Sequence, residues 1–117
     1  MYEPISIDEL FDVISKTVNE LDITLLKFWN LIKINPEKWE EKDFGKDSNG
    51  FWVVAICGKQ IVWYNDIEDG FNISSFRQYG KIPEYSCDQY ELNHAVHQLY
   101  YMNSEDRIIR GKPEPLN

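Results

Sequence analysis

Two apolar runs, FWVVAIC (Phe51 to Cys57) and QIVWYND (Gln60 to Asp66), flank the dipeptide Gly58-Lys59. A two-residue loop led by glycine suits a type II′ turn, whose first central residue has positive φ and whose twist matches that of paired strands. The expectation is an antiparallel hairpin. In regular register Ile56 faces Ile61, Val54 faces Trp63 and Trp52 faces Asn65, so one face carries Trp52, Val54, Ile56, Ile61 and Trp63. Phe51, Val53, Ala55, Cys57, Val62 and Tyr64 fall on the other. A hairpin with one wet face alternates apolar with polar residues, and this one does not. Its strands are therefore central and covered on both sides, or one face is an open binding surface.

The flanking segments supply the cover. Ser6-Ile7-Asp8-Glu9 reads as a capping box, and Ile7, Leu10, Phe11, Ile14, Val18 and Leu21 follow at helical spacing, predicting a helix from about Ile7 to Glu20. Asp22 can cap a second helix whose apolar residues run nearly all round, from Ile23 to Ile32, a pattern expected to be covered on more than one side. Asn35-Pro36 stops it. Trp39 to Phe44 reads as a short edge strand, and Phe71 to Tyr79 as a further strand with room for a bulge. Asp88 and Glu91 have the spacing of a second capping box ahead of a last helix with Leu92, Ala95, Val96 and Leu99 inward. The sum is an α+β domain over residues 1–102: two N-terminal helices, an antiparallel three- or four-stranded meander and a C-terminal helix. Residues 103–117 read as a partly mobile tail in which Ile108-Ile109 can pair as a short strand or dock on the core.

Charge narrows the function classes. The formal net charge is −8, and residues 1–50 carry 11 acids against 6 bases while residues 51–117 carry 9 against 6. Neither half offers a basic stripe, so neither nucleic acid nor an anionic membrane surface is an expected partner. A basic protein is compatible with this balance. Cys57 and Cys87 match no zinc or redox spacing and are expected as free thiols. No basic stretch followed by an apolar run opens the chain, and no apolar run is long enough to span a bilayer. The expected location is the cytoplasm.

Candidate chemistry centres on WYNDIEDGFN, Trp63 to Asn72, in which Asp66, Glu68 and Asp69 crowd together. An EF-hand loop needs oxygen ligands at alternate positions before its glycine, but Ile67 occupies one of them and no glutamate follows at the required distance. A catalytic carboxylate pair needs an apolar pocket that the sequence does not indicate. Asn65, Asp66 and Gly70 are turn formers, which accounts for the loop without chemistry. His94 and His97 stand three apart on the last helix, a spacing that zinc can use, with Cys87 just before the helix as a distant further ligand; with Tyr90 and Tyr101 they read better as a surface of amphipathic rings. No glycine-rich phosphate loop or activated nucleophile is present. No catalytic residue, metal site or cofactor is assigned.

The segment over roughly residues 50–99 resembles a group of small bacterial proteins with no established activity. The matching positions are Gly50 to Ile56, Trp63 to Asn72, Glu84, Tyr85, Cys87, Gln89, Glu91 and Leu92. A broader likeness, in size, acidity and aromatic content, is to the immunity proteins of bacterial toxin systems. It implies a protein that covers a toxin's active site, and it carries no residue across. The favoured expectation is a binding module for a basic protein, an immunity-like inhibitor, using Trp63, Asp66, Glu68, Asp69, Glu84, Tyr85, Tyr90, His94 and His97. Alternatives are a small-molecule-binding domain or enzyme with a pocket between the last helix and the sheet, using Glu84, Tyr85 or His94, and a homo-oligomeric scaffold in which one hairpin face makes a homodimer.

Overall fold

The structure, a computed structural model, describes residues 3–46 and 49–111. Its elements in chain order are α1 (Ile7–Val18), α2 (Ile23–Ile32), β1 (Lys33–Trp39), β2 (Phe51–Cys57), β3 (Gln60–Asn65), β4 (Gly70–Ser75) and α3 (Leu92–Gly111). The strands form one antiparallel meander in the order β1-β2-β3-β4, so the fold is α+β as expected.

The capping box of α1 is formed. The Glu9 N–H donates to Ser6 Oγ at 3.1 Å while the Ser6 N–H donates to Glu9 Oε1 at 3.1 Å. In α2 the Leu25 N–H donates to the Asp22 carboxylate at 2.9 Å. Only Trp29 and Ile32 of α2 are buried, and Ile23 and Leu31 are 65% and 84% exposed. That corrects the expectation of a helix covered on several sides. In a two-layer fold each helix has one neighbouring layer, and the apolar residues that point away from it meet water.

The first strand also differs from expectation, running from Lys33 to Trp39 rather than from Trp39 to Phe44. Pairing shifts from Lys33↔Ala55 to Glu37↔Val53, so the Asn35-Pro36 region bulges out of the ladder. Proline lacks the N–H of a central strand but is tolerated on an edge, which is where β1 lies. The same dipeptide that limits α2 thus sits inside a strand.

The hairpin forms with Cys57↔Gln60 and Ile56↔Ile61 at its closed end, and Gly58 has φ 62, the sign that a primed turn needs. Farther along, Ala55 pairs with Val62 but Val53 pairs with Trp63, leaving Val54 as the extra residue of a β-bulge. The regular register of Val54 with Trp63 and Trp52 with Asn65 is therefore wrong beyond Ala55, and Trp52 faces Tyr64. One slipped residue exchanges faces. Phe51 and Val53 join Ile56, Ile61 and Trp63 on one side, while Trp52 and Val54 join Ala55, Val62 and Tyr64 on the other.

Both faces are covered. Against one lie the helices, with Leu10, Trp29, Ile32, Leu92, Ala95, Val96 and Leu99 packed on Val54, Val62, Tyr64 and Phe71. Against the other lies an irregular strap, residues 81–90, whose Ile82 and Tyr85 pack on Trp39, Phe51 and Trp63. The strap is tied at both ends. Its Ile82 N–H donates to the Glu40 carbonyl at 2.8 Å, and Tyr90 exchanges two backbone hydrogen bonds with Phe71, at 2.9 and 3.2 Å.

That second tie displaces the expected start of α3. With Tyr90 paired to Phe71, the Asp88/Glu91 capping box does not form and the helix begins at Leu92. It continues to Gly111, through most of the segment expected as a tail, so Ile108-Ile109 lies in helix rather than in a strand. Residues 112–117 of that expected tail lie outside the described residues. β4 ends at Ser75, short of the expected Tyr79. Cys57 and Cys87 are free thiols. Among the described residues no helix is long and apolar enough to cross a membrane.

Candidate functional site

The β3–β4 loop is organised by a residue that sequence reasoning left in the background. Asn65 is fully buried, and its Oδ1 accepts from the Ile67 and Glu68 N–H groups at 3.0 and 3.3 Å, folding the loop locally. Its Nδ2 donates to the Tyr85 hydroxyl at 2.9 Å and the Ser86 carbonyl at 3.0 Å, fastening the strap. Asp69 takes φ 57, a left-handed conformation that aspartate tolerates better than most residues. Gly70 follows at a close crossing: a Cβ there would stand 2.4 Å from Gln89 Cα.

The three acids of the loop then part company. Asp66 turns back to accept the Ile5 N–H at 2.7 Å. Glu68, half-buried, accepts from Gln89 Nε2 at 3.2 Å. Asp69 is exposed and accepts from the Tyr64 hydroxyl. Burial pushes that hydroxyl up to about 12, helped by the charges of Asp69 and Asp66, the hydrogen bond to Asp69 and the charge of Glu9 on α1. Lys38 is pulled the other way: burial holds its ammonium below its ordinary value, and the Asp66 charge opposes this. The ammonium lies 5.0 Å from the centre of the Trp52 ring.

The remaining expected contact residues are dispersed. Trp63 is 0% exposed, with its indole N–H on Ser74 Oγ at 2.9 Å, and presents no surface to a partner. Tyr90 is half-buried beside Asp69, Glu91 and Tyr64, around a small cavity of about 170 Å³. Glu84 and Tyr85 are on the strap, across the sheet from α3. Tyr85 packs its ring against Phe44 at 4.3 Å between centroids. His94 and His97 are exposed on α3, the latter 4.6 Å from the Tyr101 ring, so His94 does not meet Glu84 or Tyr85. Among the described residues no group of three or more His, Cys, Asp and Glu side chains could hold a metal ion.

A second polar seam runs under the strap. Ser86 Oγ donates to Asn72 Oδ1 at 2.9 Å, and the Nδ2 of the fully buried Asn72 has no hydrogen-bond partner among the described residues. Beside it a cleft of about 590 Å³ opens between β4 and the strap, lined by Ser74, Ser75, Arg77, Glu84, Ser86 and Asp88 among others. The available signal for this seam was the polar Asn72 between two apolar strand residues, Phe71 and Ile73.

Glu41 is a further buried acid, 4% exposed. Its Oε1 accepts from the Asp43, Phe44 and Gly45 N–H groups and so closes the loop after β1. No family model, curated protein or solved structure matches the chain.

Proposed function

We propose that the chain is a small protein-binding module whose acidic end engages a basic protein partner. The supporting observation is that Glu9 from the first helix and Asp66 and Asp69 from the loop before β4 act together on one hydroxyl, that of Tyr64. Charges from distant parts of the sequence are gathered around Tyr64, with Glu91 lining the same small cavity and Glu68 bonded to Gln89 on its wall, on a chain of net charge −8. Such a field steers encounter with a cationic surface, while half-buried rings such as Tyr90 supply contact area. An immunity-like inhibitor acting in the cytoplasm is the finer form of this reading.

The test is affinity capture from the native host, followed by the same capture with Glu68 and Glu91 both changed to lysine. Asp66, Glu9 and Asp69 are left alone because they hold the Ile5 backbone, the α1 cap and the Tyr64 hydroxyl. A specific partner should lose affinity on charge reversal, and its association should slow as salt rises. Capture that is indifferent to both charge and salt would remove the acidic end from the account.

A further inference from the structure

The alternation of hydrogen bonds along β4 determines which of its backbone groups face outward. In an antiparallel ladder a residue directs both its N–H and its C=O to the same neighbour, and the next residue directs both to the opposite side. Phe71 spends its pair on Tyr90, away from β3. Two and four residues on, Ile73 and Ser75 face the same way. The strap pairs only at Tyr90, so among the described residues the outward N–H and C=O of Ile73 and the outward N–H of Ser75 meet no backbone partner.

An unpaired edge of this kind is a template for another strand unless something blunts it. The opposite edge is blunted, since β1 carries Pro36 and a bulge, and Glu40, the residue after it, is bridged to Lys81. On β4 no proline, bulge or lysine intervenes between Gly70 and Ser75. The edge opens on the cleft of about 590 Å³ whose far wall is Pro83 to Ser86, leaving space beside the strand. Two carboxylates, Glu84 and Asp88, line that cleft against one guanidinium, Arg77. Asn72, on the same strand, adds a buried amide donor that lacks a partner.

We propose that the β4 edge receives an extended, basic peptide segment of a partner protein as a fifth strand, with its main chain on Ile73 and Ser75 and its cationic side chains near Glu84 and Asp88. This rests on the protein-binding reading but uses a different surface from the acidic end. Backbone pairing supplies the affinity and the carboxylates select charge, the division of labour usual in strand addition.

The probe is a capped peptide of roughly seven residues alternating lysine with valine, long enough to pair along the exposed edge. It is titrated into the full chain and followed by two-dimensional NMR and amide exchange. The Ile73 and Ser75 amides should shift and become protected. N-methylation of the peptide on one edge should weaken binding by about tenfold or more, because main-chain bonds are lost without loss of charge. Ser75→Pro should do the same while leaving the unfolding temperature near its original value, since that N–H is not part of the β3 ladder. The variant with Glu68 and Glu91 changed to lysine should bind the peptide as well as the unaltered chain. Equal binding of the N-methylated peptide, or shifts confined to Asp66 to Asp69, would overturn the proposal. Self-association that protects Ile73 and Ser75 without peptide would overturn it too, by making a second copy the occupant.

Discussion

The carboxylate of Asp66 accepts the backbone N–H of Ile5 at 2.7 Å, across 61 positions of sequence. The Ile5 carbonyl in turn accepts the Trp52 indole N–H at 3.3 Å, so the lead-in to α1 is held on both sides. Asp66→Ala removes the acceptor and leaves a part-buried N–H unpaired. The expected cost is about 1–3 kcal/mol in a urea or guanidinium midpoint. Glu68→Ala, which loses only an exposed bond to the Gln89 side chain, should cost less than Asp66→Ala in the same assay. Equal losses at the two acids would refute this division.

Asn65 makes four hydrogen bonds from a fully buried side chain, two inside the loop and two to the strap. Asn65→Asp keeps the shape, removes both donors and buries a charge. A stability loss of about 3 kcal/mol or more follows. Hydrogen exchange should speed up first across residues 82–90, because the strap loses its fastening before the helices lose theirs.

Gly70 and Gly58 are opposite cases. At Gly58 nothing lies within 4 Å of an added Cβ, so Gly58→Ala meets only the strain of φ 62, about 1 kcal/mol. At Gly70 the added carbon would overlap the Gln89 backbone, and the Phe71–Tyr90 bridge must shift to relieve it. Gly70→Ala should cost about 3 kcal/mol. A smaller loss at Gly70 than at Gly58 would contradict the close crossing.

The Tyr64 hydroxyl has a folded-state pKa of about 12, raised from its ordinary value of 10.0. A group whose pKa rises on folding holds its proton more tightly in the native state, so its contribution is fully present below the unfolded value and lost above it. Stability should therefore be insensitive to this group below pH 10.0 and fall between there and about 12. Tyr64→Phe should flatten that part of the profile. Ultraviolet titration should show a late-ionising tyrosine that the variant lacks, besides Tyr79, which its hydrogen bond to Glu37 also holds above the ordinary value.

Leu31→Ser tests the exposed side of α2. With the side chain 84% exposed, the expected change is within about 0.5 kcal/mol. Trp29→Ala, on the buried side of the same helix, should cost about 3–5 kcal/mol. A large loss at Leu31 would mean that something covers it.

Local signals held where no distant partner competed for the same backbone; the Asp88/Glu91 box, equally local, lost to the pairing of Tyr90 with Phe71. The Ser6/Glu9 box, the Asp22 cap and the Gly58 turn each involve groups a few residues apart, and each is formed. The site was less legible. That Asp66, Glu68 and Asp69 cluster could be read from their order, but their separate employment depends on Ile5, Gln89 and Tyr64. Trp63 looked like an anchor for a partner because indoles often are, and the strap, through Ile82 and Tyr85, buries it with Phe51 and Val53.

The sequence by itself determined the α+β class, the order of its elements and the need to cover both sides of the hairpin, because helical periodicity, capping pairs and a two-faced apolar run are properties of neighbouring residues. The tertiary structure decided the β1 boundary, the Val54 bulge, the start of α3 and the outward face of β4. Each of these turns on which distant backbone group supplies a hydrogen-bond partner: β2 for Lys33–Trp39, β3 around Val54, and Phe71 for Tyr90. Spacing along one strand cannot report a partner contributed by another.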